Sequence, residues 1–180
     1  MSGAVQTICH IEMTRMRTSV RVLAIVLMLS TIGCDRVTKH LATTRLAGSS
    51  PHSYLSGMVR LEYAENPGAF LSLGENLPDW ARIGLLTVGA ALGLAVVAVA
   101  AFKFRRTAMP FIGAMLFIGG GASNLIDRIA RGSVVDFVNV GVGSLRSGIF
   151  NVADVALMAG VALMALGWER QHNGAHGNQT

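Results

Sequence analysis

The strongest constraint on this chain is a carboxylate where a carboxylate is expensive. From Ile149 to Trp168 the sequence is apolar and long enough to cross a bilayer, yet Asp154 lies inside it. An ionisable group in such a segment costs at least ~2.5 kcal/mol on insertion scales, so it needs a partner or a task. A second acid, Asp136, interrupts another apolar run, Gly132 to Gly141. There the alternation sets Val134, Asp136, Val138 and Val140 on one face of a strand.

The rest of the chain explains how two such acids come together. Ile83 to Phe102 is 20 residues without a charge, a membrane span closed by Lys103, Arg105 and Arg106. Ala108 to Ile126 is another, rich in Gly and Ala, whose small side chains let helices approach closely in lipid. Pro110 lies in its first turn, where a missing N–H costs little. Before these, Arg15, Arg17 and Arg21 precede an apolar run, Val22 to Gly33. That run reads either as a cleaved signal peptide or as a first helix. The stretch Thr31 to Cys34 resembles a lipoprotein cleavage site, but Thr31 suits one poorly. The helical pattern also continues through Asp35 and Lys39, an i,i+4 pair with the acid first. We read an uncleaved helix. The spacing therefore predicts an all-α membrane protein: a four-transmembrane-helix bundle with a small β-element on one membrane face, the extracytoplasmic one by the family resemblance set out below. Its helices fall at about 19–42, 83–102, 108–127 and 149–168, and the loops on that face at 46–79 and 129–148. Residues 1–18 and 169–180 are polar tails, and Met13 and Met16 are alternative starts. In the first of these loops, Val59, Leu61 and Tyr63 alternate with Arg60 and Glu62. Asn66-Pro67-Gly68 is a turn, and Ala69 to Leu73 is a second extended run.

Composition excludes several classes. With 52% hydrophobic and 14% charged residues, the chain is too apolar for an ordinary soluble domain. The net charge of +5 is scattered, whereas a nucleic-acid binder concentrates its basic residues. Cys9, Cys34 and the five histidines have no metal-ligand spacing. The basic residues divide too evenly between the two sides of the membrane to fix its orientation. Four crossings do gather the polar residues on one membrane face. Asp35 and Lys39, Asn66 to Gly74, Asn124 with Asp127 and Arg128, Asp136, and Asn151 with Asp154 all lie there.

Two carboxylates a few ångströms apart cannot both ionise easily, so the pair shares a proton near neutral pH and titrates as a unit. Such a pair hydrolyses an amide: the ionised member takes a proton from water, and the protonated one polarises the scissile carbonyl. A Ser–Lys pair of Lys39 with Ser123 or Ser133 is a weaker alternative, and no GxSxG elbow is present. A transporter or ion-conducting protein using Asp154, or a membrane scaffold, are rival classes. Transporters place polar groups near mid-membrane on several helices, whereas the second helix here has no ionisable residue. Asp127 with Arg128 reads as a structural ion pair or helix-end charge, and Asn151 reads also as a helix cap.

In order along the chain stand Asp35-Arg36-Val37-Thr38-Lys39, Asn66-Pro67-Gly68-Ala69-Phe70, Ser123-Asn124-Leu125-Ile126-Asp127-Arg128, Val134-Val135-Asp136-Phe137, and Phe150 to Asp154. At these motifs the chain resembles the bacterial lipoprotein signal peptidases (signal peptidase II), four-helix aspartic proteases of the inner membrane. The match covers roughly Val20 to Trp168. Arg36 stands where the family usually has Gln, and Ser123 where it has Gly. The resemblance implies Asp136 and Asp154 as the catalytic dyad. Asn66, Gly68, Asn124, Arg128 and Asn151 would line the substrate pocket or hold the dyad, and Asp35 and Lys39 would order the outer end of the first helix. It implies no metal and no cofactor, cytoplasmic termini, and a site at the periplasmic face. The substrate it implies is a prolipoprotein with a diacylglyceryl-modified cysteine, cut just before that cysteine by a monomer among membrane lipids.

Overall fold

The computed structural model describes residues 16–68, 78–104 and 107–176. Four long helices dominate: α1 (Thr18–Arg45), α2 (Asp79–Phe104), α3 (Ala108–Arg131) and α4 (Val152–His176). α1 runs 28 residues without a proline. Its threonines turn back on their own helix, Thr31 Oγ1 donating to the Leu27 carbonyl at 2.8 Å and Thr43 Oγ1 to that of Lys39 at 2.9 Å. α3 continues past Asp127 to Arg131 and stops at Gly132, whose left-handed φ of 74° lets its N–H close on the Arg128 carbonyl at 2.9 Å. α4 starts at Val152 rather than at Ile149, because Phe150 and Asn151 are otherwise engaged. Phe150 bridges to Val138 on a strand, and Asn151 caps the helix. Beyond Trp168 the helix continues to His176, into the segment read as a tail.

Among the described residues, three helices are long and apolar enough to cross a membrane: Gly84–Ala101, Ala108–Arg131 and Val152–Glu169. The chain is an integral membrane protein. α1, which carries Arg21, Asp35, Arg36 and Lys39, is not among the three, against the expectation of four spans.

α3 is the central helix and packs against the other three. Its glycines set how closely the others approach. A Cβ at Gly160 of α4 would stand 2.7 Å from the Gly113 carbonyl oxygen, and one at Gly119 would stand 2.9 Å from that of Met28 on α1. A Cβ at Gly120 would collide with the Ala153 carbonyl. The backbones therefore touch where lipid-embedded helices gain most from van der Waals contact. The buried core between them is mostly small, Ala24, Ala101 and Ala114, with Met115 the one long side chain.

The loops that follow α1 and α3 share one antiparallel sheet in the order β1 (His52–Tyr54), β2 (Val59–Asn66), β3 (Val134–Val142) and β4 (Leu145–Arg146). The strand expected from Val59 to Tyr63 extends to Asn66. Its expected partner at 69–73 lies outside the described residues. Its observed partners are β1 and β3. Pairing of Ala64 with Asp136 and Asn66 with Val134 brings the two loops' polar residues to one edge of the bundle. The alternation read in β3 is masked at its start, where Val134 to Phe137 are all buried. Val135 and Phe137 pack with Ala42 of α1 and Leu46 just beyond it, with Tyr63, and with Val152 of α4, which fixes the sheet on the helix ends.

The glycine contacts give a direct test. Gly160→Ala destabilises the folded protein by about 2 kcal/mol, the usual cost of overpacking. Gly89→Ala, with nothing within 4 Å of the new methyl, leaves the thermal midpoint in detergent unchanged or raises it. Equal midpoints for the two variants contradict backbone contact between α3 and α4.

Candidate active site

The site grows from the first turn of α4. The Asp154 N–H donates to Asn151 Oδ1 at 2.9 Å, and the Asn151 N–H donates to Asp154 Oδ2 at 3.2 Å. This is a reciprocal capping box with Asn as cap and Asp three residues on. The next free donor of the turn, the Ala153 N–H, reaches across to Asp35 Oδ1 of α1 at 2.9 Å. The Asn151, Ala153 and Asp154 N–H groups at the helix start are thus met, and Asp154 is held in one orientation.

The Asn151 side chain does a second job. Its Nδ2 donates to Asp136 Oδ1 at 2.6 Å, so one residue holds both acids, one by its side chain and one by its backbone. The other Asp136 oxygen takes a hydrogen bond from Asn66 Nδ2 at 3.0 Å, and the other Asp154 oxygen one from Asn124 Nδ2 at 2.9 Å. Each of the four carboxylate oxygens therefore has a donor and keeps a free lone pair. Burial pushes the Asp136 carboxyl up to about 6, and the Asp154 charge adds to this; the Asn66 and Asn151 hydrogen bonds and the Lys39 charge pull against it.

Behind the acids lies a buried ion cluster. Lys39 Nζ is within 2.7 Å of Asp35 Oδ2, 2.8 Å of Asp127 Oδ2 and 2.7 Å of Asn124 Oδ1. Arg36 pairs with the other Asp127 oxygen. Ser123 Oγ donates to Asp35 Oδ2 at 2.7 Å. In front of the acids, Arg128 Nη2 donates to the Gly68 carbonyl at 3.0 Å, and the Gly68 N–H donates to Asn66 Oδ1, also at 3.0 Å. Arg36, Lys39 and Arg128 face Asp35, Asp127, Asp136 and Asp154. Three cations against four carboxylates balance when the cluster holds one proton.

All nine residues singled out in the sequence lie on one continuous path of contacts. It runs from Asp35 through Lys39, Asn124, Asp154, Asn151, Asp136, Asn66 and Gly68 to Arg128. One expectation needs correction. Asp127 reaches across to Lys39 and Arg36 of α1 rather than pairing with its neighbour Arg128. The reason is directional: at the end of α3, Asp127 is fully buried facing α1, while Arg128 extends to the loop at Gly68. Sequence reasoning also missed the use made of Arg36 and Ser123. Their mismatch to the family pattern was the available signal, and each contacts a buried acid. A third network, outside the path, joins β2 to β3. Tyr63 and Ser133 hydroxyls donate to Glu65 at 2.7 and 2.9 Å, and the Tyr63 bond is the main cause of the lowered Glu65 carboxyl.

Asp154, Asn124 and Arg128 also form the polar end of a groove of about 550 Å³ between α2, α3 and α4. Its remaining walls include Leu94, Phe117, Leu157 and Val161. Among the described residues no cluster of three His, Cys, Asp or Glu side chains could hold a metal ion. The arrangement is suited to acid–base chemistry on a chain with an apolar appendage.

Comparison with known proteins gives the same direction. The family model described as signal peptidase (SPase) II matches residues 27–168. A lipoprotein signal peptidase of Streptococcus thermophilus is 33% identical over 152 residues, covering 84% of this chain and 95% of that one. One of Sphingopyxis alaskensis is 35% identical over 133 residues, covering 72% and 75%. A solved structure described as a bacterial membrane enzyme superposes with a TM-score of 0.69 at 21% identity, over 84% of this chain and 90% of that one, a likeness of fold. The chain belongs to the signal peptidase II family.

Proposed function

We propose that the chain is a membrane aspartic endopeptidase that removes the signal peptide from prolipoproteins. It cuts before a diacylglyceryl-modified cysteine, with Asp136 and Asp154 as the catalytic pair. One observation carries this reading: Asn151 holds both acids, and one of them opens onto an apolar groove. The groove suits acyl chains, and the scissile bond then lies near the acids at its polar end. Membership of the family supports the same activity.

In this mechanism the pair carries one proton. The ionised carboxylate removes a proton from a water molecule as its oxygen attacks the scissile carbonyl. The protonated carboxyl donates to the carbonyl oxygen. The tetrahedral intermediate collapses as the C–N bond breaks and a proton passes to the leaving amine. Asn124, Asn151 and Asn66 fix the carboxylates. Arg128 holds the Gly68 carbonyl and so fixes the turn that carries Asn66.

The reading has α1 as a fourth crossing, both termini in the cytoplasm, and the site at the periplasmic face of the bacterial inner membrane. The chain works as a monomer in membrane lipid, without cofactor, metal or nucleic acid. The rival transporter reading has less behind it, because the polar network gathers at one end of the bundle rather than along its length.

Asp136→Asn and Asp154→Asn each lower kcat by at least about 100-fold on a lipidated prolipoprotein in detergent, with or without chelator. Wild-type turnover in either variant removes that residue from the mechanism. The shared proton is lost as pH rises through the Asp136 value of about 6, so kcat/KM falls on the alkaline side with a midpoint of about pH 6. A flat profile to about pH 8 contradicts a catalytic proton held there. The same raised carboxyl makes the folded state bind its proton more tightly than the unfolded one, at 3.8, so its contribution to stability falls as pH rises from 3.8 to about 6. Ala162→Phe, which narrows the groove, raises KM for the diacylglyceryl substrate roughly tenfold, the loss of about two buried CH₂ groups. An unchanged KM argues against acyl chains in the groove.

A further inference from the structure

We infer that Lys39 is a positioning residue for the acid pair: by donating to Asn124 Oδ1 it turns that amide so that Nδ2 meets Asp154. The inference rests on the dyad reading and adds a control that acts from a different helix.

Lys39 sits on α1 and is 2% exposed. It has three N–H donors, and three acceptors surround it: Asp35 Oδ2, Asp127 Oδ2 and Asn124 Oδ1. A structural ion pair needs one acid. The third bond, to a neutral amide, is left over from that account. An asparagine amide has two orientations, which exchange its donor and acceptor ends. An ammonium has only donors, so it accepts only the oxygen end. Asn151 Nδ2, 3.3 Å from the same oxygen, selects the same orientation. With Oδ1 so fixed, Nδ2 is left to donate to Asp154 Oδ1 at 2.9 Å. The opposite orientation sets an amide oxygen against a carboxylate and an amide N–H against an ammonium, and neither pair can bond. Lys39 thus decides which end of Asn124 the acid meets.

The charges around this relay come from every packed element: Asp35 and Arg36 on α1, Asp127 and Arg128 on α3, Asp136 on β3, and Asp154 on α4. Removing Lys39 takes away a donor and a positive charge together. Both changes favour the protonated form of the pair, so the alkaline limb of activity moves to higher pH.

The test uses the full chain in nanodiscs with a lipidated prolipoprotein substrate. It measures kcat, KM and the pH profile of kcat/KM for Lys39→Met, Lys39→Arg, Asn124→Ala and the double variant Lys39→Met/Asn124→Ala. Lys39→Met is expected to lower kcat about tenfold or more with KM nearly unchanged, and to shift the alkaline limb upward. Lys39→Arg is expected to regain part of kcat and return the limb. Asn124→Ala lowers kcat as well, and adding Lys39→Met to it lowers kcat little further, because both act on one bond; the limb still moves upward, since the Lys39 charge acts on the acids directly. Should Lys39→Met fail to fold, Lys39→Met/Asp127→Asn, which removes one charge of each sign, is read in the same way. A folded variant with the wild-type limb and kcat, or additive effects of Lys39 and Asn124 on kcat, overturns the inference. Asp136→Asn and Asp154→Asn run alongside separate the two levels. If they cleave normally, the dyad reading falls. If they are inactive while the Lys39 variants keep the wild-type profile, only the positioning role falls.

Discussion

A carboxylate taken out of water must be met by donors, and at the end of a lipid-embedded bundle the protein has to supply them all. Asn151 is where that demand is resolved. It caps α4, holds Asp154 through its backbone and holds Asp136 through its side chain, so the strand acid and the helix acid share one anchor. Remove that anchor and the two acids lose the one residue that holds them both. The hydrogen bonds do not neutralise the acids. They fix them, one donor to each oxygen, and leave the cluster one proton short of charge balance.

Helix packing makes this anchor effective. α3 contributes Ser123, Asn124, Asp127 and Arg128 from its last turns, and these reach the acids only because α3 lies close to both α1 and α4. The close approach is made along α3 by Gly113, Gly119 and Gly120, where backbone meets backbone. Small residues lower in the bundle therefore set distances at its polar end. The sheet completes the site from the other side: β2 pairs with β3, so Asn66 arrives beside Asp136 from a loop some seventy residues earlier.

Much of this was legible in the sequence. The apolar spans, the i,i+4 pair of Asp35 and Lys39, and the co-location of polar residues at one end follow from period and length. What escaped was whatever depends on direction across elements. Asp127 and Arg128 are neighbours in sequence and on the helix, yet they extend to opposite sides, which only the packing of α1 decides. The pairing of β2 with β3 joins two separate loops, and alternation within a strand does not name its partner. The start of α4 was displaced because Phe150 is more useful as a bridge to Val138 than as a helical residue. Asn151 read as either a cap or a dyad residue, and it is positioned to be both.

The central claim is that Asp136 and Asp154 hold one proton between them. Infrared difference spectroscopy of the protein in nanodiscs, from about pH 5 to about pH 8, above the range in which ordinary Asp and Glu side chains protonate, reads a protonated carboxyl directly through its C=O stretch. The account predicts a single carboxylic acid band that titrates with a midpoint of about 6, and that is lost or displaced in both Asp136→Asn and Asp154→Asn. A spectrum with no such band, or one whose band is unaltered in either variant, contradicts it.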